Sequence, residues 1–118
     1  MLEKIGQTGR DCVIVGRNAD VILEAEKPFS LFVCAALDAK LRRCAQRARD
    51  GEDLSPKELE RNLRRIDRDR ARTREIFTGS RWGEPGAYHL TVNTTDWCIK
   101  ELTPAVAEFA RAWFGRST

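Results

Sequence analysis

Cys12-Val13-Ile14-Val15-Gly16-Arg17-Asn18-Ala19-Asp20 is the stretch on which the fold turns. Four apolar residues, three of them β-branched, run to a glycine with no polar residue alternating among them. Such a run reads as a strand covered on both faces, as in a parallel sheet. Arg17, Asn18 and Asp20 then emerge at the strand's carboxyl end, where open α/β sheets place their ligands. The fork of Arg17 can hold two oxygens of a phosphate or carboxylate at once. The residues alone leave a second option open, in which Asp20 caps the next helix and Arg17 pairs with it at the surface.

Working outward, Phe29 to Ala36 is a second buried-strand run, and the short amphipathic stretch Asp20 to Glu26 between the two is closed by Pro28. Upstream, Leu2 to Gly9 reads as the last turn of a helix with only Leu2 and Ile5 for an apolar face, so the start resembles a cut through an element. Downstream, Leu41, Cys44, Ala45 and Ala48 recur at helical spacing, with Arg42, Arg43, Arg47 and Arg49 largely off that face and Gly51-Glu52-Asp53 as the break. Ser55, Pro56 and Glu58 form a capping-box start for a long helix that runs to Gly79. Its expected inner face is Leu59, Leu63, Ile66, Arg70, Thr73 and Phe77. A loop with Trp82, Gly83, Pro85 and Gly86 leads to a strand Tyr88 to Val92, ending in Asn93-Thr94-Thr95. Thr103 and Pro104 open a last helix that turns Val106, Phe109, Ala110, Trp113 and Phe114 inward. Buried strands alternating with helices predict a three-layer α/β fold with a parallel sheet, in one domain over residues 1–118 with a helical segment at 55–79.

Composition narrows the function classes. At 118 residues and 42% apolar content the chain builds one core. A net charge of +3 against 21 basic and 18 acidic residues puts the electrostatics into local clusters, so nonspecific binding to nucleic acid is not the expectation. Cys12, Cys34, Cys44 and Cys98 include no Cys-x-x-Cys pair, and the one histidine, His89, sits among strand formers, which argues against a zinc site. The sequence instead reads as one with reduced cysteines, Cys12 and Cys34 acting as small core hydrophobes. With no membrane-length apolar run and no hydrophobic signal core in residues 1–10, a cytoplasmic location is expected.

The strongest local cluster is seven arginines between Arg61 and Arg74 on the long helix. One reading is a solvated face laced by pairs such as Asp67 with Arg70 and Asp69 with Arg72 or Arg65. Arg70 departs from it: on the apolar stripe it needs an anion or Asp67 as partner. Cationic helices of this kind can close over phosphates and neutralise charge in phosphoryl transfer. Trp82 reads as a loop anchor or, with Arg81, as part of a nucleotide cleft. Asn93 and Thr94 contact a base or cap a turn.

Read in order, Gly16-Arg17-x-Ala19-Asp20, the strand and helix Leu31 to Arg43, Asp67-x-x-Arg70-Ala71, Thr78-Gly79-x-x-Trp82-Gly83 and Tyr88-x-Leu90-x-x-Asn93-Thr94 resemble the cytidylate-kinase-like family of P-loop proteins. The resemblance implies the carboxyl-terminal portion of a nucleoside monophosphate kinase-like phosphotransferase, moving phosphate from ATP to CMP or a related nucleotide. It implies that Arg17, with Asn18 and Asp20, binds the acceptor and that Asp67 and Arg70 form the catalytic lid pair. It also places Arg43, with Asn93, on the ATP side. Lys40 stands where the family usually has an arginine, which keeps the charge and loses the fork.

Two departures shape the expectation. Asn18 replaces the aspartate that helps read cytosine in cytidylate kinases proper. The sequence also has no Gly-rich loop to cradle ATP phosphates, so ATP and magnesium are implied for the complete protein and this chain alone is expected to be inactive. The family's first strand would lie between Cys12 to Val15 and Leu31 to Ala35, so self-association through exposed strand edges is expected. A non-catalytic nucleotide-binding or oligomerising module is the alternative, and an RNA-binding protein using the arginine helix is a further one.

Overall fold

The computed structural model describes residues 11–16, 18–47 and 55–116. The expected Leu2 to Gly9 turn, Arg17 and the Gly51-Glu52-Asp53 break lie outside the described residues. In chain order the elements are α1 (Ala19–Ile22) with a 3-10 turn (Glu24–Glu26), β1 (Leu31–Cys34), α2 (Leu37–Arg47), α3 (Pro56–Thr78), a second 3-10 turn (Pro85–Ala87), β2 (Leu90–Asn93) and α4 (Ile99–Phe114). The fold is mixed α/β. β1 and β2 run parallel, with Leu31 opposite Leu90 and Cys34 opposite Asn93.

The expected strand at Cys12 to Gly16 does not form: these residues join no ladder, and Val13 and Val15 are 92% and 96% exposed. A strand exists through the neighbours that take its backbone bonds. β1 takes β2 as its one partner among the described residues, which leaves the apolar run without one. Cys12 is accordingly exposed rather than a core thiol, and the four cysteines are free.

β1 itself has two different sides. Phe32 and Cys34 turn inward, whereas Leu31 and Val33 are exposed. Phe32 meets Trp82 edge-on at 5.2 Å between centroids and lies 4.8 Å from the Tyr88 ring, so Trp82 anchors its loop. Gly83 makes this packing possible. Its φ is +81°, and a Cβ there would sit 3.2 Å from two Phe32 ring carbons.

α3 starts and stops as its end residues dictate. The Ser55 hydroxyl accepts from the Glu58 N–H, the Glu58 carboxylate accepts from the Ser55 N–H, and Gly79 closes the helix with φ +74°. The face turned inward matches the expected one only in part, with Leu59, Leu63 and Thr73 half-buried as expected. Glu60, Leu63, Asp67, Ala71, Arg74 and Thr78 lie on the more covered side, while Ile66, Arg70 and Phe77 are exposed. The covered side is shifted from the apolar stripe by about half a residue, roughly 50°. Polar anchors on neighbouring elements set that rotation, as described below.

α4 begins at Ile99, upstream of the expected start, and carries Pro104 inside it. The Thr103 hydroxyl donates to the Ile99 carbonyl in the turn where Pro104 cannot donate. Phe29 gathers the rings of His89, Phe109, Trp113 and Phe114 within 5.5 to 6.3 Å. Phe109 and Phe114 nevertheless stay largely exposed, against the expectation that they turn inward. No helix among the described residues is long and apolar enough to cross a membrane.

Candidate functional site

The stretch from Asn18 to Asp20 is held from α3. Asn18 is buried with φ 63°, ψ 9°, a left-handed conformation that asparagine adopts more readily than most residues. Its carbonyl accepts from the Val21 and Ile22 N–H groups at 3.1 and 3.0 Å, which starts α1. Asp20 projects both carboxylate oxygens toward Arg74, whose two Nη atoms donate at 2.7 and 2.9 Å. Arg74 is 5% exposed, and its Nη1 also approaches Asn18 Oδ1 at 3.5 Å. Burial works against the charge on Asp20, but the hydrogen bond and charge of Arg74, helped by backbone N–H groups, hold its carboxyl below the usual carboxylate range. Arg74 is held more firmly protonated, first by that hydrogen bond and then by the Asp20 charge, against burial.

The other residues read from sequence fall into a second cluster. Asp67 is bound to Lys40 of α2 at 2.6 Å, and it is this pair, with Asp20–Arg74, that fixes the rotation of α3. Arg43, also on α2, donates to the Thr94 hydroxyl at 2.8 Å, to the Thr94 carbonyl and to the Trp97 carbonyl at 3.3 Å. Thr94 in turn donates its N–H and hydroxyl to the Cys34 carbonyl at 2.8 and 3.1 Å. The ends of both strands and α2 are thereby tied at one point. Asn93 closes the turn after β2, its Oδ1 accepting from the Thr95 N–H and hydroxyl.

Arg70 is not on a buried stripe. It is exposed, and Asp67 is engaged elsewhere. Among the described residues, the surface pairs expected along α3 are not formed; Glu60 with Arg64 is the ion pair between neighbours on that helix. An open depression of about 410 Å³ between α2 and α3 is lined by Leu37, Lys40, Arg61, Arg64, Asp67 and Arg68, a cationic surface suited to anions. The described residues do not form a triphosphate cradle: Arg43 has its N–H groups on protein acceptors, and no Gly-rich loop is in the sequence.

The structure thus brings Asn18 and Asp20 onto α3, and brings Asp67, Arg43 and Asn93 to the carboxyl ends of the strands and the α2–α3 contact; Arg17 lies outside the described residues. Sequence reasoning missed Arg74 and understated Thr94. A signal for Arg74 was present. Ala71 and Thr78, small and uncharged among so many cations, flank it at helical spacing and mark the side of α3 that can approach a neighbour.

The fold has a counterpart among solved structures. A crystal structure of an uncharacterized protein from Eubacterium ventriosum superposes with a TM-score of 0.80 at 22% identity, over 94% of this chain and 60% of that one. At that identity the likeness is one of fold, and this chain spans 60% of the other protein's length. No curated protein matches the sequence. The sequence model of the cytidylate kinase-like family matches residues 1–96, and the chain belongs to that family.

Proposed function

We propose that this chain carries the acceptor and lid residues of a nucleoside monophosphate kinase-like phosphotransferase, acting from ATP to CMP or a related nucleotide. The observation that supports it best is the Asp20–Arg74 pair. It fastens Asn18 and Asp20 to the helix that carries Arg70, which lies four residues, on the order of 6 Å, from Arg74. In this reading Arg17 grips the acceptor phosphate, Asn18 lies beside the base, and Arg70 meets the transferring phosphoryl group, while Asp67 holds the lid on α2. ATP and magnesium belong to the complete phosphotransferase, whose three-layer P-loop-like sheet is part of the proposal, as are residues 1–118 as one domain with a lid at 55–79 and a cytoplasmic location.

The chain alone is expected to give no ADP from ATP with CMP, dCMP, UMP or AMP, yet to bind CMP by calorimetry. Arg17→Ala should weaken that binding by on the order of 10- to 100-fold, the value of one charge-assisted contact. Unchanged CMP affinity in Arg17→Ala would remove Arg17 from the acceptor site, and Asn18→Asp with an unchanged CMP to UMP preference would remove residue 18 from base reading.

A second reading, a module that completes its sheet by association, is favoured by a different observation. Val13, Val15, Leu31 and Val33 are exposed, and one edge of β1 has no partner among the described residues. Parallel strands are ordinarily covered on both faces. Sedimentation at several concentrations separates the readings, since a concentration-independent monomer is incompatible with association.

A further inference from the structure

Arg74 belongs to none of the motifs that carry the family resemblance, yet it is the most buried charged side chain among the described residues. It is not free to bind a ligand. Both Nη atoms face the two Asp20 oxygens, and the Tyr88 ring lies 5.2 Å from its guanidinium carbon. Three parts of the chain therefore meet on it: the Asn18–Asp20 stretch, α3 and the approach to β2. Its Nε is buried with no hydrogen-bond partner among the described residues. A side chain selected for stability alone would be a poor choice here, since buried ion pairs rarely outperform apolar packing and an orphaned donor carries a cost. What a two-pronged pair does provide is register: a fork on a carboxylate fixes distance and angle together.

The turn it holds needs such fixing. Asn18 keeps a left-handed backbone while buried, a conformation that persists where the surroundings over-determine it. Its carbonyl receives the Val21 and Ile22 N–H groups, and the Ala19 carbonyl receives that of Leu23 at 2.9 Å. α1 is four residues long, too short to hold that shape by itself.

We infer that Arg74 is a positioning residue: by gripping Asp20 beside Asn18 it sets the Asn18–Asp20 stretch at a fixed height on α3, so that this stretch and the lid helix move as one unit. The functional half of this inference rests on the acceptor reading above, and the mechanical half stands apart from it.

Amide hydrogen exchange on the 118-residue chain tests the mechanical half. Arg74→Lys keeps the charge and loses the fork, and Asp20→Asn keeps the shape and loses the charge. Each should speed exchange at Val21, Ile22 and Leu23 by about tenfold or more, with the β1–β2 ladder unchanged. Unchanged exchange at those three amides, or an equal rise in the ladder, overturns the inference. CMP binding tests the functional half: each substitution should weaken it about tenfold, and the double substitution little further, because the two residues act as one unit. Ala39→Gly, at a buried site on α2, supplies a control lowering the melting temperature for a different reason. If CMP affinity in that control falls as far as in Arg74→Lys, Arg74 is a stabilising residue and not a positioning one. Should CMP fail to bind the unaltered chain, the acceptor reading falls, and exchange at the three amides decides the inference alone.

Discussion

Lys40, Arg43, Arg74 and Thr94 commit their polar groups to the chain's own backbone and carboxylates, whereas Asp11 to Gly16, the outer residues of β1 and the apolar stripe of α3 lack such ties. On the first side Arg43 and Thr94 bind the ends of β1, β2 and α2 together, and Lys40 holds Asp67. On the second, Val13 and Val15 are almost wholly exposed, Val33 is 57% exposed and Phe77 likewise 57%. The contrast shows what positions the site. Directional polar contacts settle the rotation of α3 and the path of the Asn18–Asp20 stretch, and the apolar residues on the other side are left as surface.

The largest effect should come from cutting the knot on the tied side. Arg43→Met removes charge-assisted bonds to Thr94 and leaves its carbonyl short of a donor, so urea unfolding should show a loss of about 2 to 4 kcal/mol. Thr94→Val, which loses a buried hydroxyl and keeps the shape, should lose about 1 to 2 kcal/mol. Equal stability in both variants and the unaltered chain would mean that strand pairing holds this corner without Arg43, and the contrast between the two regions would dissolve.

A smaller effect is expected from acid, at the link between the regions. The folded-state carboxyl of Asp20 titrates below its unfolded value, about 3.9. Its contribution is therefore present above that unfolded value and is lost as pH falls through the lowered folded one. Arg74, raised above an already high value, does not titrate in this window. Melting of the unaltered chain and of Asp20→Asn should differ near neutral pH and begin to converge only as pH falls below about 4. A difference that persists unchanged at low pH would show that Asp20 does not act through its charge.

How much of this was legible in sequence depended on how local its cause was. The ends of α3 were, because Ser55, Pro56, Glu58 and Gly79 act within a turn of themselves. The runs Phe29 to Ala36 and Tyr88 to Val92 located β1 and most of β2, although Asn93 proved to be the last residue of β2. The rotation of α3 was not legible, since its anchors Lys40 and Asp20 lie 27 and 54 residues from Asp67 and Arg74. Apolar periodicity has no access to partners at that separation. For the same reason Arg70 looked buried and Arg74 looked like one cation among seven. The strand at Cys12 to Gly16 was misjudged for a different cause: its residues suit a parallel sheet, but pairing depends on a neighbour.

The smallest expected change in stability, and the sharpest test of the untied side, is Val13→Lys with Val15→Lys. Both side chains are more than nine-tenths exposed, so charge there removes no packing, and unfolding free energy should move by no more than about 0.5 kcal/mol. Association should respond quite differently. Lysines on an unpaired apolar run oppose edge-to-edge contact, so any concentration-dependent sedimentation of the unaltered chain should shift toward monomer. Val33→Lys, on the outer side of β1, extends the test to the neighbouring strand. If both changes destabilise the monomer by several kcal/mol, residues 11–16 are packed in solution. The untied side would then be as closely bound as the tied one, with contacts made by apolar residues in place of polar anchors.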